Sequence, residues 1–187
     1  MLKRLSPLIL IALLPLALAS RVGADAQPAV GMSPNADQVA AARMVHGLVS
    51  TGGYHYAPQA LDAKLAEEVF KRYLESLDGD RLFFTADDIA ALQPLRRGIG
   101  DAIRGGQLQP AFDAFRIYQQ RVGERVAHAR GLLDGGFRFD ADETWRYDRK
   151  DAPWAADTAE LDALWTQYIK NDWLRLRLAG RKDDEIR

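Results

Sequence analysis

A chain of 187 residues with 48% hydrophobic content can bury one ordinary core, with little left for a second domain. Its formal net charge of −1, with 27% charged residues, supplies no one-signed field to hold nucleic acid. The absence of cysteine excludes disulfides, thiolate metal sites, cysteine nucleophiles and a lipid-modified cysteine.

Lys3 and Arg4 precede an apolar run over residues 7–19, which has the length of a secretory h-region and is too short to span a bilayer. Ala17, Leu18 and Ala19 form a small-x-small cleavage pattern, and Ala24, Asp25 and Ala26 form a later one. Residues 1–19 are therefore predicted to be a cleavable signal peptide, cut after Ala19 or as late as Ala26. An exported chain without cysteine fits a bacterial periplasm. Residues 20–34, rich in small residues, Gly and Pro, read as a flexible lead, and residues 35–187 as one helical domain.

Asn35 or Asp37 is placed to cap a first helix bearing Val39, Ala42, Val45, His46 and Val49, closed by Gly52 and Gly53. Pro58 suits the start of a second, whose stripe runs through Leu61, Leu65, Val69 and Tyr73 with Phe70, Leu74 and Leu77. Asp78 and Gly79 read as a turn, followed by an apolar plug of Leu82, Phe83 and Phe84 that something must cover. Thr85 and Asp88 have capping-box spacing and open a third helix with Ile89, Leu92, Ile99 and Ile103 on one side, which Pro94 kinks or delays. A long fourth helix, from about Leu108 to Leu133, presents Phe112, Phe115, Tyr118 or Gln119, Val122, Val126 and Leu133 before Gly135 and Gly136. Residues 137–154 alternate charge with aromatics and read as an ordered loop with at most a short strand. Asp157 and Glu160 cap a fifth, strongly apolar helix with Leu161, Leu164, Trp165, Tyr168, Ile169 and Trp173. Gly180 ends it, and Asp183 reads as the N-cap of a new helix that stops at Ile186. The expected fold is all-α, an irregular bundle of about five helices.

Side chains capable of chemistry are few. Ser33, Ser50 and Ser76, with Ser20 if cleavage follows Ala19, lie in no Gly-x-Ser-x-Gly turn that would expose and activate a hydroxyl. Lys71 precedes Ser76 by five residues, but on an exposed helix face both are expected to be solvated. His46, His55 and His128 lack metal-binding spacing. Asp140, Asp142, Thr144, Asp148 and Asp151 fall at the oxygen-ligand positions of a calcium loop, yet Trp145 stands where that loop demands Gly and Asp151 where it needs a bidentate Glu. The pairs Asp87 with Asp88 and Asp183 with Asp184 are explained by helix starts. No catalytic residue, cofactor site or metal site is assigned from these residues.

The segments FKRYLESLDGDRLFFTADDI (residues 70–89) and above all YDRKDAPWAADTAELDALW (residues 147–165), followed by LRLAGRKDDEIR, resemble the N-terminal helical region of periplasmic tail-specific proteases. These are the carboxy-terminal processing peptidases of Gram-negative bacteria. The resemblance implies continuation beyond Arg187 into a PDZ domain that captures the apolar C-termini of protein substrates, then a region with a serine nucleophile and a lysine general base. No residue here receives those roles. Implied partners are the PDZ and protease regions, protein substrates and a periplasmic adaptor, with association at the inner membrane. On this reading the final residues are the first turn of a helix that continues, and the chain alone is inactive. The alternative is a free-standing periplasmic helical binding or adaptor protein.

Overall fold

The computed structural model describes residues 32–50 and 57–187. The expected signal peptide, most of the lead, Ser20, His55, Gly52 and Gly53 lie outside the described residues. Within them the fold is all-α, with seven helices: α1 (Ala36–Ser50), α2 (Ala63–Asp78), α3 (Ala86–Ala91), α4 (Gln93–Gly105), α5 (Gln109–Gly135), α6 (Thr158–Leu178) and α7 (Asp183–Ile186). No described helix is long and apolar enough to cross a membrane.

The count exceeds five for two reasons. Pro94 lies in the first turn of α4, where it needs no amide hydrogen, so the expected third helix breaks at Leu92 into α3 and α4. The final segment also closes one turn as α7, capped at Lys182 rather than Asp183, with the Glu185 carboxylate accepting from the Lys182 amide at 3.4 Å. Between α6 and α7, Gly180 adopts φ 85°; its amide donates to Arg177 O (2.9 Å) and that of Arg181 to Leu176 O (3.0 Å), a Schellman stop.

Other boundaries follow side-chain caps. Asn35 Oδ1 accepts from the Gln38 amide (2.8 Å) and Gln38 Oε1 from that of Asn35 (2.9 Å), which starts α1. α2 begins later than Pro58, because Asp62 Oδ1 accepts from the Leu65 amide at 2.8 Å. Thr85 and Asp88 form the expected capping box, and Asp157 caps α6.

Two apolar clusters make the interior. Phe70, Leu74, Phe84, Leu92, Leu95, Ile99 and Ala114 join α2, α4 and α5. Ala155, Leu161 and Trp165, with Leu82, Phe83, Tyr168 and Ile169 packed against them, join α6 to the segment after α2. The plug divides between them, Phe84 in one and Phe83 against the other, and Tyr118 touches both rings at 5.9 and 5.3 Å.

Two stripes differ from the sequence expectation. In α5 the buried positions are Ala114 and Arg125, with Ile117 and Tyr118 packed against the core, while Val126 is exposed, so the inner face combines apolar residues with a buried charge. In α1 no residue is buried and Val45 points outward with Met44 and Leu48. α1 packs on α4 through Arg43, whose Nη2 donates to Gly105 O at 2.9 Å. Gly106, at φ 67°, makes this approach possible, since a Cβ there would come within 2.8 Å of both Arg43 and Val39.

Phe84 has no solvent exposure. Phe84→Ala is therefore expected to cost about 3–5 kcal/mol in chemical denaturation, whereas Val126→Ala costs under about 0.5 kcal/mol. Equal losses would contradict the assignment of the inner faces.

Candidate functional site

The two segments that distinguish the sequence meet in space. Asp78 ends α2 with its carboxylate turned onto the next residues, accepting from the amides of Leu82 (2.7 Å), Phe83 (2.9 Å) and Phe84 (2.8 Å). The carboxyl is buried at 3% exposure, and burial pushes its pKa above the ordinary range against the pull of the three amides. The fold around this turn places Arg81 in the left-handed region at φ 54°, an unfavourable conformation for a residue with a Cβ. Its guanidinium offsets that cost by donating to Ala152 O and lying 5.0 Å from the Trp154 ring.

The partner segment, residues 152–155, is fixed from the other side. The Ala86 amide donates to Ala155 O at 2.8 Å, and Thr85 and Ala155 form an isolated parallel bridge. Trp154 packs edge-on to Phe84 at 6.2 Å, and Trp165 Nε1 donates to Leu82 O at 2.5 Å. The expected loop over 137–154 is thus ordered without a strand. Its last residues form one wall of the junction.

Charged residues on α5 brace both sides. Arg121 grips Asp88 with two bonds, Nε to Oδ2 (2.8 Å) and Nη2 to Oδ1 (2.9 Å), and meets Glu124 through Nη1 at 2.8 Å. Burial raises the pKa of Asp88, but the Arg121 fork and the Thr85 amide outweigh it and hold the carboxyl below its usual range. Arg121 is held still more firmly protonated by Asp88 and Glu124. Arg125, also buried, pairs with Asp162 of α6, and His128 Nδ1 stands 3.7 Å from the same carboxylate.

The candidates for chemistry are dispersed. Ser76 Oγ donates to Tyr73 O of its own helix at 2.7 Å and makes no bond to Lys71. Ser50 ends α1 and Ser33 precedes it. In the calcium-like stretch Asp140 pairs with Arg138, Asp148 accepts from the Lys150 amide, and Trp145 stacks on Tyr168 at 5.4 Å. Among the described residues no three His, Cys, Asp or Glu side chains converge as a metal-binding group. Asp87 and Asp88 do lie in the first turn of α3, but only Asp88 caps it. Sequence reasoning missed Asp78, Arg81, Arg121 and Arg125. The spacing of Asp78 ahead of an apolar triplet was the available signal.

The two aspartates give opposite pH signatures. Asp88, depressed in the fold, contributes stability above the unfolded carboxylate pKa near ~3.9 and loses it as pH falls through the lower folded value. Asp78, raised in the fold, favours the native state at low pH, and this contribution is lost as pH rises from ~3.9 through its folded value. Asp88→Asn is expected to lose about 2 kcal/mol at pH 7 and far less at pH near ~3. Asp78→Ala, which orphans three amides, should lose about 3 kcal/mol or more at pH 7 in urea titrations. A uniform pH-independent loss for Asp88→Asn would contradict the assignment.

Both halves of this junction lie within the part of the chain that matches a known family. Residues 51–187 match the family model described as the tail specific protease N-terminal domain. Over 134 residues the chain is 31% identical to the tail-specific protease of Haemophilus influenzae, covering 71% of this chain and 19% of that relative. It therefore spans about a fifth of the length of the relative it matches. With the family model covering most of the chain, including both halves of the junction, the chain belongs to the tail-specific protease family as its N-terminal domain.

Proposed function

We propose that this domain is a periplasmic scaffold that encloses substrate for a protease whose PDZ and serine/lysine regions lie elsewhere in the protein, and that it reaches the periplasm through cleavage of residues 1–19. The observation that supports a scaffold role is an uncovered apolar face at the end of α6. Leu174 and Leu178, one turn apart on the same side of the helix, are exposed, Leu178 at 80%, although the preceding Trp173 is buried. Phe139 adds to this surface, with the Lys170 ammonium 5.5 Å and the Arg177 guanidinium 6.0 Å from its ring.

A hollow of about 140 Å³ opens beside this face, bordered by Trp145, Lys170, Asn171 and Leu174. Asn171 Nδ2 is buried there without a hydrogen-bond partner, and a buried donor left unpaired costs roughly 1–3 kcal/mol. A face of exposed leucines beside an open hollow suits a protein partner better than water. Next to it, α7 is tied back by an Arg177–Asp183 pair at 3.2 Å and by Arg187 lying 5.9 Å from the Trp173 ring. We assign this face to the PDZ and protease regions.

A domain of this kind positions and shelters a polypeptide but performs no bond cleavage, because none of its described serines meets an activating base. Incubated with an unfolded protein bearing an apolar C-terminus, the chain alone should give no cleavage. Leu174→Glu with Leu178→Glu should leave its melting temperature unchanged, whereas the same pair in a protein continuing through the protease region should destabilise that protein. Cleavage abolished by Ser33→Ala, Ser50→Ala or Ser76→Ala would overturn the inactive-scaffold reading. Full activity and stability of the longer protein with both leucines changed would favour a free-standing binding protein instead.

A further inference from the structure

The junction walls a second hollow, of about 200 Å³, between α2, the start of α4 and the segment around Trp154. Its floor is apolar: Phe70 and Leu74 from α2, Ile89 from α3, and Trp154. Around it stand four cations, Lys71, Arg81, Arg96 and Lys150. The lining includes three carboxylates, of which two are occupied. Asp78 is taken by the amides of residues 82–84. Glu67 is held by Arg96 through two contacts of 2.7 Å.

Only Glu75 is left to face the other cations across the lining. Lys71 and Lys150 are exposed, and neither ammonium forms an ion pair among the described residues. Arg81 spends its guanidinium on a carbonyl and a ring, neither of which neutralises it. Beside Lys150, Arg149 keeps its Nε buried without a hydrogen-bond partner; burial and neighbouring Arg146 push its pKa down against the pull of Asp78 and Asp80. Within the lining itself, four cations stand against three carboxylates, a surplus of one positive charge.

We propose that the hollow receives one apolar side chain of an extended acidic peptide segment, with the carboxylates flanking that side chain meeting Lys71 and Lys150. The volume is below the roughly 300–1,000 Å³ of small-molecule sites and suits a single anchoring side chain. An apolar floor within a basic rim matches both halves of such a ligand, as in other peptide grooves. A phosphate polymer would use the rim and leave the floor empty. The inference rests on the hollow alone and does not depend on association with a protease region.

The test uses the purified chain and a fluorescently labelled synthetic peptide with a central leucine flanked by aspartates and glutamates, followed by anisotropy. Lys71→Glu and Lys150→Glu should each weaken binding about tenfold, and so should replacing the peptide's leucine by alanine. Arg97→Glu, an exposed change outside the lining, serves as control and should leave binding unaltered. Circular dichroism confirms that the rim variants remain folded. Unchanged affinity in both rim variants would overturn the proposal. So would equal binding of a lysine-flanked peptide, or displacement by a DNA oligonucleotide with no effect of the leucine change, which would mark a general polyanion surface.

Discussion

Three amide hydrogens converge on the Asp78 carboxylate, and the placement of the later elements follows from the turn they make. A helix that ends at Asp78 would otherwise leave residues 82–84 free to extend in any direction. Held by one buried acceptor, these residues send Phe84 into the cluster shared by α2, α4 and α5, while Leu82 and Phe83 pack against α6. The carboxylate is desolvated, so each amide bond it accepts is worth more than it would be at the surface, and losing one is correspondingly expensive. The left-handed Arg81 is the conformational cost of turning so sharply, and its contacts with Ala152 and Trp154 return that cost by recruiting the second segment.

The same economy of polar groups extends along α5. A long helix packed against α4 and α6 would ordinarily present leucines inward. Here Arg121 and Arg125 point to the interior and meet Asp88 and Asp162. Such pairs contribute little net stability compared with apolar packing of the same volume, but they penalise misplacement heavily, because a displaced helix would bury an unpaired charge. Aromatic packing around Phe83, Tyr118 and Trp165 supplies the bulk of the adhesion, and the charged pairs fix which helix face is used.

Much of this was legible in the amino-acid sequence. Caps at Thr85 and Asp157 follow local rules and placed the starts of α3 and α6, and the apolar period of α2 identified that helix, though not its first residue. The family resemblance also held, since residues 51–187 match the family model. What stayed hidden depends on tertiary partners. The inward face of α5 cannot be read from aliphatic spacing alone when it includes the buried Arg125 and the partly buried Arg121, matched by acids 37 and 33 positions away. Asp78 reads as an ordinary turn residue until its carboxylate is seen to be buried, and Asp62 is indistinguishable from other surface acids until it accepts the Leu65 amide. Val45 followed a plausible stripe, but α1 leans on α4 by a narrower face than its composition suggests.

If the turn at Asp78 organises the domain, its amides should be as hard to open as the core, despite lying outside any helix. Native-state hydrogen exchange measures this directly. The amides of Leu82, Phe83 and Phe84 should exchange only through global unfolding, with protection equal to that of Phe70 and Leu74 in α2. Exchange of these three at the rate of exposed loop amides such as Ala141 and Asp142 would contradict the account, since the junction would then form after the domain folds instead of holding it together.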